Sequence, residues 1–192
     1  RGIQSNPPAV TNRGVSRGNY SQLHRKAWLE VSDPQHRYGK NLRLYYHHWE
    51  EIGFPTNRFF DWLDSIGSAQ GLPKPDLTAC PRSKLDSDTV LYIQDLDVTQ
   101  RYRLDLEVDK FGKALVVNAE GRPVSTGRDG WMFVLRDDCL YCAPKVVSVS
   151  EHCKQRFHHS SFFGGKAVSA AGILVTNHEG RLTHVFPHSG HY

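Results

Sequence analysis

Hydrophobic positions follow two different rhythms along this 192-residue chain. In the first third they recur at helical spacing. Leu23, Ala27 and Val31 (or Trp28) share one face of a helix predicted over SQLHRKAWLEVS, with Ser21 as its N-cap and Asp33-Pro34 as its stop. Leu42, Tyr45, Tyr46 and Trp49 mark a second helix in HRYGKNLRLYYHHWEEIG, closed by Gly53. FFDWLDSIG adds one or two aromatic helical turns, and such stripes are core far more often than cofactor boxes. SAQGLPKPDLTACP reads as a Gly/Pro-punctuated loop, and 82–85 as a brief helix.

From Thr89 onward the period falls to two. Strands are predicted at 90–93, 102–108, 114–117, 131–135, 140–143, 156–162, 167–176 and 181–186. In YRLDLEV, Tyr102, Leu104, Leu106 and Val108 alternate with Arg103, Asp105 and Glu107, which predicts one buried and one wet face. Asn118-Ala-Glu-Gly121 and Asn177-His-Glu-Gly180 have the chemistry of hairpin turns. The expectation is an α+β fold, a helical N-terminal third packed on a curled, mainly antiparallel sheet that can close like a barrel. Residues 1–19 read as an extended arm and 20–192 as a single domain: helical over 21–65, loop over 66–81, mainly β over 89–192.

Composition narrows the function classes. Hydrophobic residues at 39% are enough for a packed core. The balance of 24 Lys+Arg against 20 Asp+Glu leaves +4, short of the dense basic face of a nucleic-acid binder. No apolar run reaches the length of a membrane span, and no signal-peptide core is evident. The start at Arg1 leaves a removed leader or a longer natural chain open. The arm RGIQSNPPAVTNRGVSRGN cannot bury enough apolar surface to order itself alone, so it is expected to anchor the domain in a larger protein assembly. Ile3-Gln4 begins like an IQ motif, but Pro7-Pro8-Ala9 replace its later basic step, so none is assigned there.

Four cysteines, Cys80, Cys139, Cys142 and Cys153, are too few to staple a chain this size and suggest reduced thiols in an intracellular compartment, cytoplasmic or organellar. Cys139-x-x-Cys142 with Cys153 and His158 has zinc-like spacing. A strand through Cys139 and Cys142 would turn them to opposite faces, so no metal and no cofactor is assigned.

Candidate chemistry concentrates in RFHHSSFFGGKAVSAAGILVTNHEGRLTHVFPHSGHY, which holds six of the eleven histidines. His159 and Ser160, with His36, are the candidate catalytic residues, because a hydroxyl beside an imidazole can act in nucleophilic or general-base chemistry. Arg37, Tyr38, Ser161, Gly164, Gly165, Ser189, His191 and Tyr192 are the candidate ligand-binding residues. Arg37 could hold a phosphate or carboxylate bidentately, and the paired glycines could bring amides to an anion. The set looks loosely like an ADP-ribosyl-transfer pocket, without an obvious catalytic glutamate. No GxSxG, P-loop, HExxH or GxGxxG is present. The same residues can equally cap helices, fill turns and pin a sheet edge.

DPQHRYGKNLRLYYHHW, FFDWLD, CPRSKLD, RFHHSSFFGGKAVSAAGILV and FPHSGHY, in this order, resemble the plant IQ-motif-containing (IQM) calmodulin-binding proteins and their fungal relatives. The resemblance covers about residues 26–192. It implies a calmodulin-linked signalling or stress role acting through an IQ helix, which is not read in these residues, so calmodulin is a partner by resemblance only. The expected function is a non-catalytic interaction or scaffold domain. The alternative is an enzyme or sensor for a nucleotide or other phosphorylated small molecule.

Overall fold

The computed structural model describes residues 27–65, 73–189 and 192. The predicted arm, Ser21, Leu23, part of the Gly/Pro loop and His191 lie outside the described residues. The chain runs α1 (Trp28–Ser32), α2 (Gly39–Glu51), a π-helical turn (Asp61–Ser65), α3 (Arg82–Ser87), β1 (Asp88–Val90) and α4 (Leu96–Gln100). Then follow β2 (Arg103–Val108), β3 (Ala114–Val117), β4 (Trp131–Arg136), β5 (Cys139–Ala143), β6 (Val147–Val149) and β7 (Lys154–Arg156). A 3-10 segment (His159–Gly165), β8 (Ala170–Thr176) and β9 (Leu182–Phe186) complete it. Among the described residues no helix is long and apolar enough to cross a membrane.

These elements form two compact units, each built from separated stretches of chain. Of the described residues, the first holds 27–65 and 73–91 together with Val147–Arg156. In it, Asp33 leaves helical geometry at ψ 122°, ending α1 just before Pro34. One face of α2 buries Leu42, Tyr45 and Trp49 at 0–1% exposure, as the helical spacing predicts. Gly53, at φ +83°, closes the helix: its N–H reaches Glu50 O and that of Phe54 reaches Trp49 O. The Phe54 and Trp49 rings then meet edge to face at 4.8 Å, the apolar contact that seals such an end. Phe59, Trp62 and Leu63 join these residues in one core with Cys80 and Leu85. Fully burying side chains of this size is worth roughly 1.5–3 kcal/mol each. A three-stranded sheet of order β1-β7-β6 belongs to the same unit, with β1 and β7 parallel.

The second unit holds residues Tyr92–Val146 and Phe157–Tyr192. Its six strands lie in the order β3-β2-β5-β4-β8-β9, every neighbouring pair antiparallel. The two ends of this sheet approach each other through a Leu115–Arg181 bridge and a bond from Val116 N to Gly180 O at 2.9 Å. The sheet is therefore nearly closed into a barrel around Leu104, Val116, Phe133, Leu140, Cys142 and Leu174.

Three expectations change. The strand expected over 156–162 stops at Arg156, because Ser161 Oγ accepts from His158 N at 2.9 Å and folds the next residues into a 3-10 turn. The strand expected over 90–93 ends at Val90. The buried face of YRLDLEV extends only through Leu104, since Leu106 and Val108 are 57% and 75% exposed where β2 runs out beyond the core. Helix α4 had a readable signal that went unused: Asp95 caps it, accepting from Asp97 N and Val98 N.

Candidate functional site

In the barrel unit the three polar sequence blocks meet. His159 Nε2 lies 2.8 Å from Gly172 O, joining the HHSS block to the AAG block. A carbonyl only accepts, so Nε2 carries the proton. Tyr192 Oη donates to Lys166 O at 2.9 Å and Tyr192 N to Ser189 Oγ at 3.3 Å, tying the SGHY end to the residue after the paired glycines. Phe163, Gly164 and Gly165 all have positive φ, so the chain reverses here through three left-handed residues. The ring of Phe163 is held edge-on by Tyr141 at 4.8 Å and covered by the Arg136 guanidinium at 4.9 Å. A Cβ on Gly172 would lie 2.1 Å from Phe186 O and 2.8 Å from Phe133 Cε1, so only glycine fits between β8, β9 and the ring of β4.

This arrangement limits the chemistry. Ser160 is fully buried, and its Oγ has no hydrogen-bond partner among the described residues. His159 is 6% exposed, and burial holds its imidazole below the usual histidine range, so it is neutral near pH 7. No bond joins the two. Ser161 Oγ is occupied in capping the turn. Burial also pushes the Tyr192 phenol up, keeping it protonated as a donor. These groups build a turn and anchor it. A base-activated nucleophile is absent from their geometry.

In the helical unit the other three blocks meet on Arg37, which is fully buried. Its Nε and Nη2 donate to Asp33 at 2.7 and 3.0 Å, and Nη1 and Nη2 to Asp64 at 2.9 and 2.6 Å. The fifth N–H reaches Asp86 Oδ1 at 3.2 Å. Arg82 joins the same two carboxylates, Asp64 and Asp86. Burial opposes the charge on Arg37, but the bonds from Asp64 and Asp33 outweigh it and hold the guanidinium firmly protonated. The same two arginines hold the Asp64 carboxyl below its usual range against its own burial. All five guanidinium N–H groups are thus committed to carboxylates of the fold.

Its neighbours are engaged as well. His36, at φ +49°, donates from Nδ1 to Glu30 O at 3.1 Å. Tyr38 lies under the guanidinium of Arg156 at 3.9 Å, and Arg156 holds Asp88 through two bonds of 2.7 and 2.9 Å. Sequence reasoning missed Asp33, Asp64, Arg82 and Asp86, although each sits inside a quoted block: DPQHRYG, FFDWLD or CPRSKLD. Of the thiols, Cys142 is 2% exposed with its pKa raised by burial, and Cys153 is exposed.

The fold and its motif-built interior define an α+β domain of helices and a nearly closed, antiparallel six-stranded sheet. Residues 100–192 match the family described as the IQ motif-containing protein middle domain, and that segment belongs to it. The chain is 35% identical over 189 residues to IQ domain-containing protein IQM5 of Arabidopsis thaliana, covering 96% of this chain and 34% of that protein. IQ domain-containing protein IQM2 of the same plant is 36% identical over 190 residues, covering 96% and 29%. The chain therefore spans about a third of the length of these relatives. No solved structure matches it.

Proposed function

We propose that this chain is a non-catalytic interaction domain of the IQM type, anchored in a larger protein assembly by residues 1–19. One observation carries the reading: Arg37 and His159 are buried and bonded to their own fold, and Ser160 is buried with no base beside it. Such residues specify architecture, and the binding role falls to the surface and to the arm. The resemblance to the calmodulin-binding IQM proteins makes calmodulin the proposed partner of the longer protein, and the matching relatives are IQ domain-containing proteins. Four free thiols fit an intracellular, signalling setting.

The test is deletion of residues 1–19, followed by co-fractionation with the assembly from cell extract and by thermal unfolding. The truncated chain should keep its melting midpoint and leave the assembly fraction. Retention in that fraction would sink the anchoring role. A parallel scan with NAD, ADP-ribose and nucleotides addresses the enzyme or sensor alternative. A ligand at 100 times its Kd stabilises by about 2.7 kcal/mol, so a shift lost in His159→Gln would favour that alternative instead.

A further inference from the structure

A groove of about 550 Å³ lies on the barrel unit, and no residue of the histidine–serine turn lines it. Strand alternation sets its floor. Leu174 and Thr176 are buried at 3% and 2%, so Ile173 and Val175 face outward, and register pairs them with Phe186 and His184 of β9. The rings of His184 and Phe186 stack on each other within 3° of parallel, their centroids 5.8 Å apart, and Phe186 is half exposed. One wall is the loop Ser125–Arg128. It is fixed at its base by reciprocal bonds: Thr126 N to Thr176 Oγ1 at 3.0 Å, and Thr176 N to Thr126 Oγ1 at 2.9 Å. Its far end presses on β8, where a Cβ on Gly130 would lie 2.6 Å from Leu174 O. The wall is therefore held in place before any ligand arrives.

The lining is one-sided in charge. Arg128, His178 and His184 border the groove with the Ser125 and Thr183 hydroxyls, and no Asp or Glu lines it among the described residues. Thr183 Oγ1 donates to Val175 O at 3.0 Å and so accepts from His184 Nδ1 at 3.1 Å, which fixes the orientation of the His184 ring and leaves Nε2 of the neutral ring as an acceptor. A guanidinium fork beside the apolar side chains of Val175 and Phe186 suits an anionic head on a planar body. We propose that this groove binds a planar ring bearing a phosphate, the phosphate on Arg128 and the ring against the Val175 and Phe186 side chains. The volume is that of a small-ligand site.

Isothermal titration of the purified chain tests this with four probes: adenosine monophosphate, phenyl phosphate, adenosine and inorganic phosphate. At least one ring phosphate should bind with a Kd below about 1 mM and more tightly than adenosine or inorganic phosphate. Which of the two binds better separates a nucleotide from an aryl phosphate source. Arg128→Gln, and independently Ser125→Asp, which puts a carboxylate in the wall, should each weaken binding by about tenfold. Both positions are exposed, so melting midpoints should not move, and either variant suffices if the other misfolds. Binding of neither ring phosphate, equal binding of inorganic phosphate, or wild-type affinity in the folded variants would overturn the proposal.

Discussion

With all five N–H groups of Arg37 on carboxylates, its removal leaves Asp33 and Asp64 charged in a site built to neutralise them. Breaking a buried ion pair from one side costs about 3–5 kcal/mol. Arg37→Met should therefore lower the unfolding free energy by about that much in urea titration, and Arg37→Lys should recover little, since one ammonium cannot serve three carboxylates. A loss below about 1 kcal/mol would mean the network contributes little net stability. His159 gives a prediction in pH. Its folded pKa is lowered, chiefly by burial and against the bond to Gly172, so the unfolded chain takes up a proton first as pH falls through about 6.5. Its share of stability is complete above that value and is lost as pH falls toward the folded value. In His159→Gln the amide keeps a donor for Gly172 O and does not titrate. Stability should thus drop more between pH 7.5 and 5.5 in the wild type, and equal drops would contradict this. Neither role was legible in the sequence, which shows Arg37 and His159 but not the carboxylates and carbonyl folded against them.

At the scale of elements, one turn recurs three times in the barrel unit. In Asp109–Gly112, Asn118–Gly121 and Asn177–Gly180 the first side chain accepts two backbone N–H bonds, from residues two and four places on. Each closes on a glycine at positive φ between +71° and +77°. The two asparagine turns were readable from their spelling. Asp109-Lys-Phe-Gly112 obeys the same spacing with a phenylalanine at its tip. Phe111 is in fact 64% exposed, with Arg181 and Lys110 at its ring. The turns differ in surroundings. At Gly112 a Cβ meets nothing within 4 Å, so Gly112→Ala should cost only the left-handed strain, about 1 kcal/mol. At Gly180 a Cβ lies 2.7 Å from Pro123 Cβ and 3.0 Å from Val116 O, at the seam where the sheet closes. Gly180→Ala should cost at least 1 kcal/mol more in the same denaturation assay. Equal losses would mean the seam has room to give. The segment 156–162 departs from the predicted strand for a related reason: Ser161 caps a turn at His158, and the glycine pair just beyond it, Gly164-Gly165, carries the chain round.

At the scale of the whole molecule, the change from helical to alternating period was enough to give the α+β class and the mainly antiparallel sheet. It could not give the partition of the chain, because strand pairing between distant segments leaves no periodic trace. β1 pairs in parallel with β7 across 68 residues from Asp88 to Arg156, and that pairing draws Val147–Arg156 into the helical unit. The family-matched segment 100–192 therefore cuts through both units. It keeps β6 and β7 but discards β1, leaving Arg156 without Asp88. It also discards 92–99, and with them the bond from Ile93 N to Ser161 O at 2.8 Å, the packing of Gln94 on Gly164 and the capped start of α4. A fragment of residues 100–192 should consequently melt below a fragment of 92–192, which regains the contacts to the 3-10 turn. For pieces this size each 1 kcal/mol lost lowers the midpoint by about 4–8 °C, within easy reach of circular dichroism. If both fragments melt together, the segment 92–99 adds nothing to the turn, and the antiparallel sheet alone holds the histidine–serine cluster in place.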